Sequence, residues 1–254
     1  MHVSLVGSEM CIRDRESKLQ QILMQIDQLC EPEEFDPENS TRVFHIDLIE
    51  TAYTTIYPRF LPQALSCAPN ITLKSNDWSS NSIARLQRRE VDFGVGIFEF
   101  DSRAKKHVET IPDSLSYTEL MRDTPVCIMR KGHPALEEEW SLDTFLKYRH
   151  ILVITGGISR WLLHEVLEMQ RLHINNAVNM SDVSSAIKLC EKSDLLLTYP
   201  YRCIRIFEEA SDIVIKPLPF ELEPGAFFLL WNKQLDNDPS HKWLRELIVS
   251  QSYA

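Results

Sequence analysis

The chain has 254 residues, 44% of them hydrophobic and 25% charged, which is the make-up of a soluble globular protein long enough for one large domain or two small lobes. Lys and Arg number 27 against 37 Asp and Glu, a net charge of −10, the wrong sign for a surface that must neutralise phosphates; the chain's own surface is therefore not expected to grip nucleic acid or anionic membrane. No run approaches the roughly 18 apolar residues of a membrane span.

The first stretch, MHVSLVGSEMCIRDR, has no clear period, cap or partner, and Ser8, Glu9 and Arg13 interrupt the apolar run that a secretory signal needs. Residues 1–15 are expected to be a non-native leader, and the expected location is cytoplasmic. From Leu19, apolar residues fall at Leu19, Ile22, Ile26 and Leu29 with Leu23 beside them, the seam of a short dimerising helix placed at 16–30. Residues 31–41 are acidic, hold two prolines and read as a linker.

Beyond the linker, β-like and helix-like segments alternate, the pattern of a parallel or mixed sheet with helices on both faces. Val43–Leu48 predicts a strand, and Thr51–Cys67 a helix whose shape is disturbed by Pro58 and Pro62. Ile71–Lys74 predicts a second strand, Ser79 or Ser80 can cap a helix that buries Ile83 and Leu86, and Asp92–Phe98 is a third strand. Gly94 and Gly96 within it mark a close approach by another backbone or a ligand. Val126–Met129 and Ile151–Ile154 are further strands, with a short helix near Leu142–Leu146 between them.

The adjacent Gly156 and Gly157 give the backbone the freedom of a hinge, and a second α/β lobe is expected from Thr155 onward. Trp161–Leu172 is amphipathic; Val183, Ala186, Ile187 and Cys190 form one helix face; Leu195–Thr198 and Phe227–Trp231 are strands. Asp238-Pro239 is an N-cap and first-turn pair opening a last helix that buries Trp243, Leu244, Leu247 and Ile248.

Chemistry-bearing motifs are sparse. In HEVLEMQRLH the second histidine of a zinc-protease helix would fall four residues after His164, where Glu168 stands. Neither a GxSxG elbow nor a phosphate loop occurs, so no catalytic residue, metal or cofactor is assigned and the chain is not expected to be an enzyme. The six cysteines (Cys11, Cys30, Cys67, Cys127, Cys190 and Cys203) are scattered, and most read as buried thiols in a reducing cytosol. Ligand binding has topological support: in open α/β sheets small molecules settle beyond the carboxyl ends of strands, where helix N-termini point free N–H groups. The positions so placed are Thr51, Ser79, Ile97, Phe98, Thr155, Ser181 and Tyr199. The alternative for Thr51, Ser79 and Ser181 is that each only caps a helix.

Four blocks, FDPENSTRVFHIDLIETAYTTIYPRFLPQ, LQRREVDFGVGIFEFD, PVCIMRKGHPAL and PLPFELEPGAFFLLWNKQLDNDPSHKWLRELI, make the chain from about Phe35 resemble the effector-binding region of LysR-type transcriptional regulators. The last block is most like the subgroup of nodulation and leucine-responsive activators. The resemblance implies a periplasmic-binding-protein-like type II α/β fold: two Rossmann-like lobes joined by a hinge, with a small-molecule effector in the cleft between them. The effector-binding domain would span 42–254, lobe 1 being about 42–154 with 226–254 and lobe 2 about 155–225. It further implies a homodimer or homotetramer that meets DNA through an N-terminal winged helix-turn-helix, a module expected to be absent here because residues 1–15 stand where the linker helix should continue upstream. Thr51 and Ser79 match the family's hydroxyls opening its first two helices. Ile97 matches a position that is polar or basic in regulators of carboxylate inducers; isoleucine cannot pair an anion, so with Phe98 and Tyr199 nearby an apolar or aromatic effector is expected. The rival on the same fold is a solute receptor of a transport system, which should carry an export signal or lipid-attachment cysteine; neither is readable.

Overall fold

The computed structural model describes Leu19, Leu23 and residues 34–154, 160–208 and 211–252. Of the predicted N-terminal helix, Leu19 and Leu23 are helical and exposed; the rest of that seam, and the leader, lie outside the described residues.

The first sheet begins with β1 (Val43–Leu48), whose Phe44, Ile46 and Leu48 are almost wholly buried. The predicted single helix after it is two: α1 (Glu50–Thr55) and α2 (Tyr57–Cys67) meet at Ile56. Pro58 cannot donate to the preceding turn, so the helix restarts with proline in its first turn. Strand β2 (Thr72–Asp77) runs parallel to β1 at the sheet edge, and the half-exposed polar sequence TLKSND suits that place. Helix α3 (Ser82–Gln87) leads to β3 (Phe93–Phe98), parallel to β1 on its other side. Buried Asp47 of β1 ties α3 down, accepting from Ser82 Oγ at 2.7 Å and from Arg85 Nη1 at 2.7 and 2.9 Å.

What approaches the paired glycines of β3 is a side chain of its own lobe. A Cβ at Gly94 would stand 2.6 Å from Trp78 Cζ3 and 2.9 Å from Leu86 Cδ1; at Gly96 the nearest indole atom would be 3.1 Å away. The glycines make room for the buried Trp78 ring.

After β4 (Leu115–Asp123) the chain crosses at Thr124 into a second sheet. There lie β5 (Pro125–Arg130), helix α4 (Leu142–Lys147), β6 (Arg149–Val153), α5 (Leu162–Met169), β7 (Asn176–Met180), α6 (Val183–Glu191), β8 (Leu195–Pro200), α7 (Tyr201–Glu208) and β9 (Ile213–Pro217). The return through residues 218–224 delivers β10 (Gly225–Asn232) to the first sheet, antiparallel between β3 and β4, and α8 (Pro239–Ser252) closes the chain. The strand orders are β2-β1-β3-β10-β4 and β7-β6-β8-β5-β9. Each lobe is thus a mostly parallel sheet with one antiparallel strand that follows a crossing between the lobes, β10 in the first and β5 in the second, the periplasmic-binding-protein-like type II arrangement.

This moves the lobe boundary. The strands expected in lobe 1 at Val126–Met129 and Ile151–Ile154 both belong to the second sheet, so lobe 2 starts at Pro125. Periodicity marks a segment as a strand without naming its neighbour. The glycine pair taken for the hinge lies outside the described residues; the two crossings are at Thr124 and 218–224.

Both faces of the second sheet are buried, as parallel strands require. Along β5, Val126 and Ile128 face α6 and α7 with Ile187, Cys190 and Ile204, while Cys127 and Met129 face Phe145, Leu163 and Leu167. The predicted face of α6 is buried as read, as are Cys127, Cys190 and Cys203; Cys67 is exposed. Asp238 caps α8 by accepting the His241 N–H at 2.7 Å, and Leu244 and Ile248 are buried while Trp243 and Leu247 are partly so.

Candidate functional site

The carboxyl ends of the parallel strands of the two sheets face one another across a cavity of about 310 Å³, at the small end of the ~300–1,000 Å³ typical of ligand pockets. Its walls are largely apolar: Ile49, Ile97 and Phe227 from the first lobe, Val153, Trp161 and Tyr199 from the second.

The polar groups are few and specific. Thr51, in the first turn of α1, is 2% exposed, and its hydroxyl has no hydrogen-bond partner among the described residues; the same holds for Thr198 of β8. Glu99 follows directly on β3. The strand pleat turns Ile97 and Glu99 to the cavity and Phe98 the other way, onto Phe228 with ring centroids 6.0 Å apart. Glu99 is 6% exposed and its Oε2 has no partner among the described residues. Burial, reinforced by the negative charges of Asp101, Glu165 and Glu223 and opposed by Lys106, pushes its carboxyl up to about 7. Burial conversely brings the Lys106 ammonium down to about 8, with Glu99 holding it up. Asp123, at the end of β4, is pushed to about 6 by burial although it accepts the Arg202 N–H at 3.0 and 3.2 Å.

Carboxylates also fasten the lobes together around the cavity. Glu50 of α1 accepts the Val183 N–H at the start of α6 at 3.0 Å and the Tyr199 hydroxyl at 2.9 Å. Glu165 of α5 accepts the Lys105 N–H at 3.0 Å. Each is a charged acceptor on a neutral donor across the cleft, the stronger class of hydrogen bond. In the posture described, Glu50 bridges the lobes on one side of the cavity and Glu165 on the other.

Of the positions singled out from sequence, Thr51, Ile97 and Tyr199 line the cavity together. Phe98 does not, because it occupies the core face of β3. Ser79 does not either: it accepts the Asn81 N–H at 3.3 Å and its own N–H bonds Ser82 Oγ at 2.9 Å, a local turn before α3. Ser181 is exposed one residue ahead of the true cap, Asp182, which accepts from Ser185 N at 2.7 Å. Thr155 lies outside the described residues. Sequence reasoning missed Glu99, Lys106, Trp161 and Glu165. A signal existed for Glu99, a lone acid interrupting FGVGIFEF just past a buried strand; Glu165 lay inside the rejected metal-like stretch.

Residues 37–252 match the family described as LysR substrate binding domain. The chain is 31% identical over 188 residues to the HTH-type transcriptional regulator YidZ of Citrobacter koseri, covering 71% of this chain; it spans only 59% of that relative's length. Among solved structures, the regulatory domain of MexT, a transcriptional activator in Pseudomonas aeruginosa, superposes with a TM-score of 0.69 at 22% identity, over 83% of this chain and 98% of that one. HinK, a LysR family transcriptional regulator from the same organism, gives 0.63 at 14% identity, over 100% and 82%. At those identities the structural likeness shows the fold alone.

Proposed function

The chain belongs to the LysR substrate-binding domain family, and we propose that it is the ligand-sensing part of a transcriptional regulator. A small effector with an apolar or aromatic body occupies the cavity between the lobes, touching Thr51, Ile97 and Tyr199. Its arrival shifts the balance between lobe postures that Glu50 and Glu165 now bridge, and the assembly, a homodimer or homotetramer in the cytoplasm, passes that shift to DNA. Contact with DNA is assigned to a winged helix-turn-helix outside the described residues, in keeping with a net charge of −10 on this chain. The subgroup is that of the nodulation and leucine-responsive activators, on the strength of the block from Pro217 to Ile248. The observation that carries the reading is the interlobe cavity with apolar walls and unpartnered Thr51 and Glu99 oxygens, since buried polar atoms without partners are rare unless something else satisfies them. The chain acts as a binder; its cavity acids are engaged in bridging or left without a nucleophile to activate.

A thermal-shift screen of small aromatic metabolites tests this. A ligand at 100 times its Kd should add about 2.7 kcal/mol, raising Tm by roughly 5–10 °C for a chain of this size. Ile97→Trp, which fills the cavity, should abolish the shift while leaving the free chain folded. A ligand shift that survives this substitution would place binding elsewhere, and turnover of a substrate by the purified chain would overturn the reading.

A further inference from the structure

Resting on the proposal that the cavity holds the effector, we infer that the effector carries an amine: Glu99 receives a protonated nitrogen while the apolar walls hold the body of the molecule. The residue is more than nine-tenths buried, opens on the cavity, and its buried Oε2 has no hydrogen-bond partner among the described residues. Gly225 of β10 backs it: a Cβ there would stand 3.4 Å from both carboxylate oxygens, so the acid is seated against the sheet. An acceptor held dry and unpaired is destabilising unless a donor comes to it.

The surrounding charges select a cation over a neutral donor. Facing Glu99 are Asp101 from the following turn, Glu165 from α5 and Glu223 from the return segment, all adding negative potential and opposed by Lys106; Asp101 is itself paired with Arg103, and Lys105 also lines the cavity. His107, paired in backbone register with Glu99, turns its Nε2 to the Phe100 carbonyl at 3.0 Å. Arg160 lines the cavity but is ion-paired with Glu168. Asp123 lines it too. A carboxylate ligand would enter among four acids, Glu99, Asp123, Glu165 and Glu223, against Lys105, half-buried Lys106 and the Arg160 already paired with Glu168. A protonated amine would complete the pair that Glu99 lacks.

The test is calorimetric titration of the full chain with three probes of one shape: 2-phenylethylamine, 2-phenylethanol and phenylacetate. The amine should bind at least tenfold tighter than the other two. Its affinity should rise by about tenfold from pH 6 to pH 8, because Glu99, titrating near 7, must be ionised to receive it. Glu99→Gln should erase the preference and most of the tenfold rise, leaving only the smaller pH dependence that Asp123 and Lys106 contribute from the cavity wall. If phenylacetate or the alcohol binds as tightly as the amine to the unaltered chain, the amine assignment falls and the cavity reading stands. If all three bind and Ile97→Trp leaves every one unchanged, the cavity reading itself fails. The probe comparison needs no variant, so a misfolded Glu99→Gln chain would not rescue the inference.

Discussion

Glu99→Gln should make the ligand-free chain more stable, and the gain should depend on pH in a defined way. A buried acid with its carboxyl raised from 4.5 to about 7 resists ionisation in the folded state by about 3 kcal/mol at 1.4 kcal/mol per pH unit. The unfolded chain ionises Glu99 near 4.5, so the folded form binds the extra proton. The folded state is unpenalised below about 4.5, loses stability as pH climbs towards 7, and levels off above it. Glutamine cannot ionise, but its amide also lacks partners, an offset of roughly 1–2 kcal/mol that does not vary with pH. The variant's advantage over the parent should therefore widen by about 2 kcal/mol between pH 5 and pH 7.5. Urea denaturation followed by tryptophan fluorescence reads it, since Trp78, Trp231 and Trp243 all belong to the core that holds β3. A difference that is flat across this range would mean that Glu99 ionises freely in the folded protein, and the buried unpaired carboxylate would be refuted.

Further substitutions probe the frame around the cavity. Gly94→Ala should cost about 1–3 kcal/mol by thermal melting, because its Cβ would fall 2.6 Å from Trp78, whereas Gly96→Ala, at 3.1 Å, should cost clearly less. Asp47→Ala takes from Arg85 its closer carboxylate, leaving Glu90 at 3.9 Å, and from buried Ser82 its acceptor, so a loss of about 2–3 kcal/mol in chemical denaturation is expected. Glu50→Ala removes both bonds from α1 to the second lobe; small-angle scattering should show a larger radius of gyration in the free chain, and an unchanged radius would show that this carboxylate does not hold the lobes together.

Much of the fold was legible because it is local. Alternation in VFHIDL, the 3.6-residue spacing of Val183, Ala186, Ile187 and Cys190, and the Asp238-Pro239 start of α8 each mark an element from neighbouring residues alone, and the structure places all three accordingly. Three of the seven positions picked by the rule that ligands meet strand ends and helix starts, Thr51, Ile97 and Tyr199, line the cavity. Phe98 failed because adjacent residues of a strand face opposite ways, so only one of the pair could reach the cavity. Ser79 and Ser181 failed because a hydroxyl near a helix start is as readily used by the turn itself, as the bonds of Ser79 to Asn81 and Ser82 make plain.

The amino-acid order by itself determined the kinds and succession of the elements, the two-lobe α/β class and the family, since these rest on periodicity, capping and blocks of residues in series. The tertiary structure alone decided that β5 and β6 join the second sheet, that Trp78 claims the space beside Gly94, and that Glu99 Oε2 is buried without a partner among the described residues while Glu50 and Glu165 reach across the cleft. Strand pairing and desolvation are properties of segments distant in the chain; Glu50 meets its partners 133 and 149 residues away. No local pattern encodes which buried charge will be answered from across a cavity and which will be left open to a ligand.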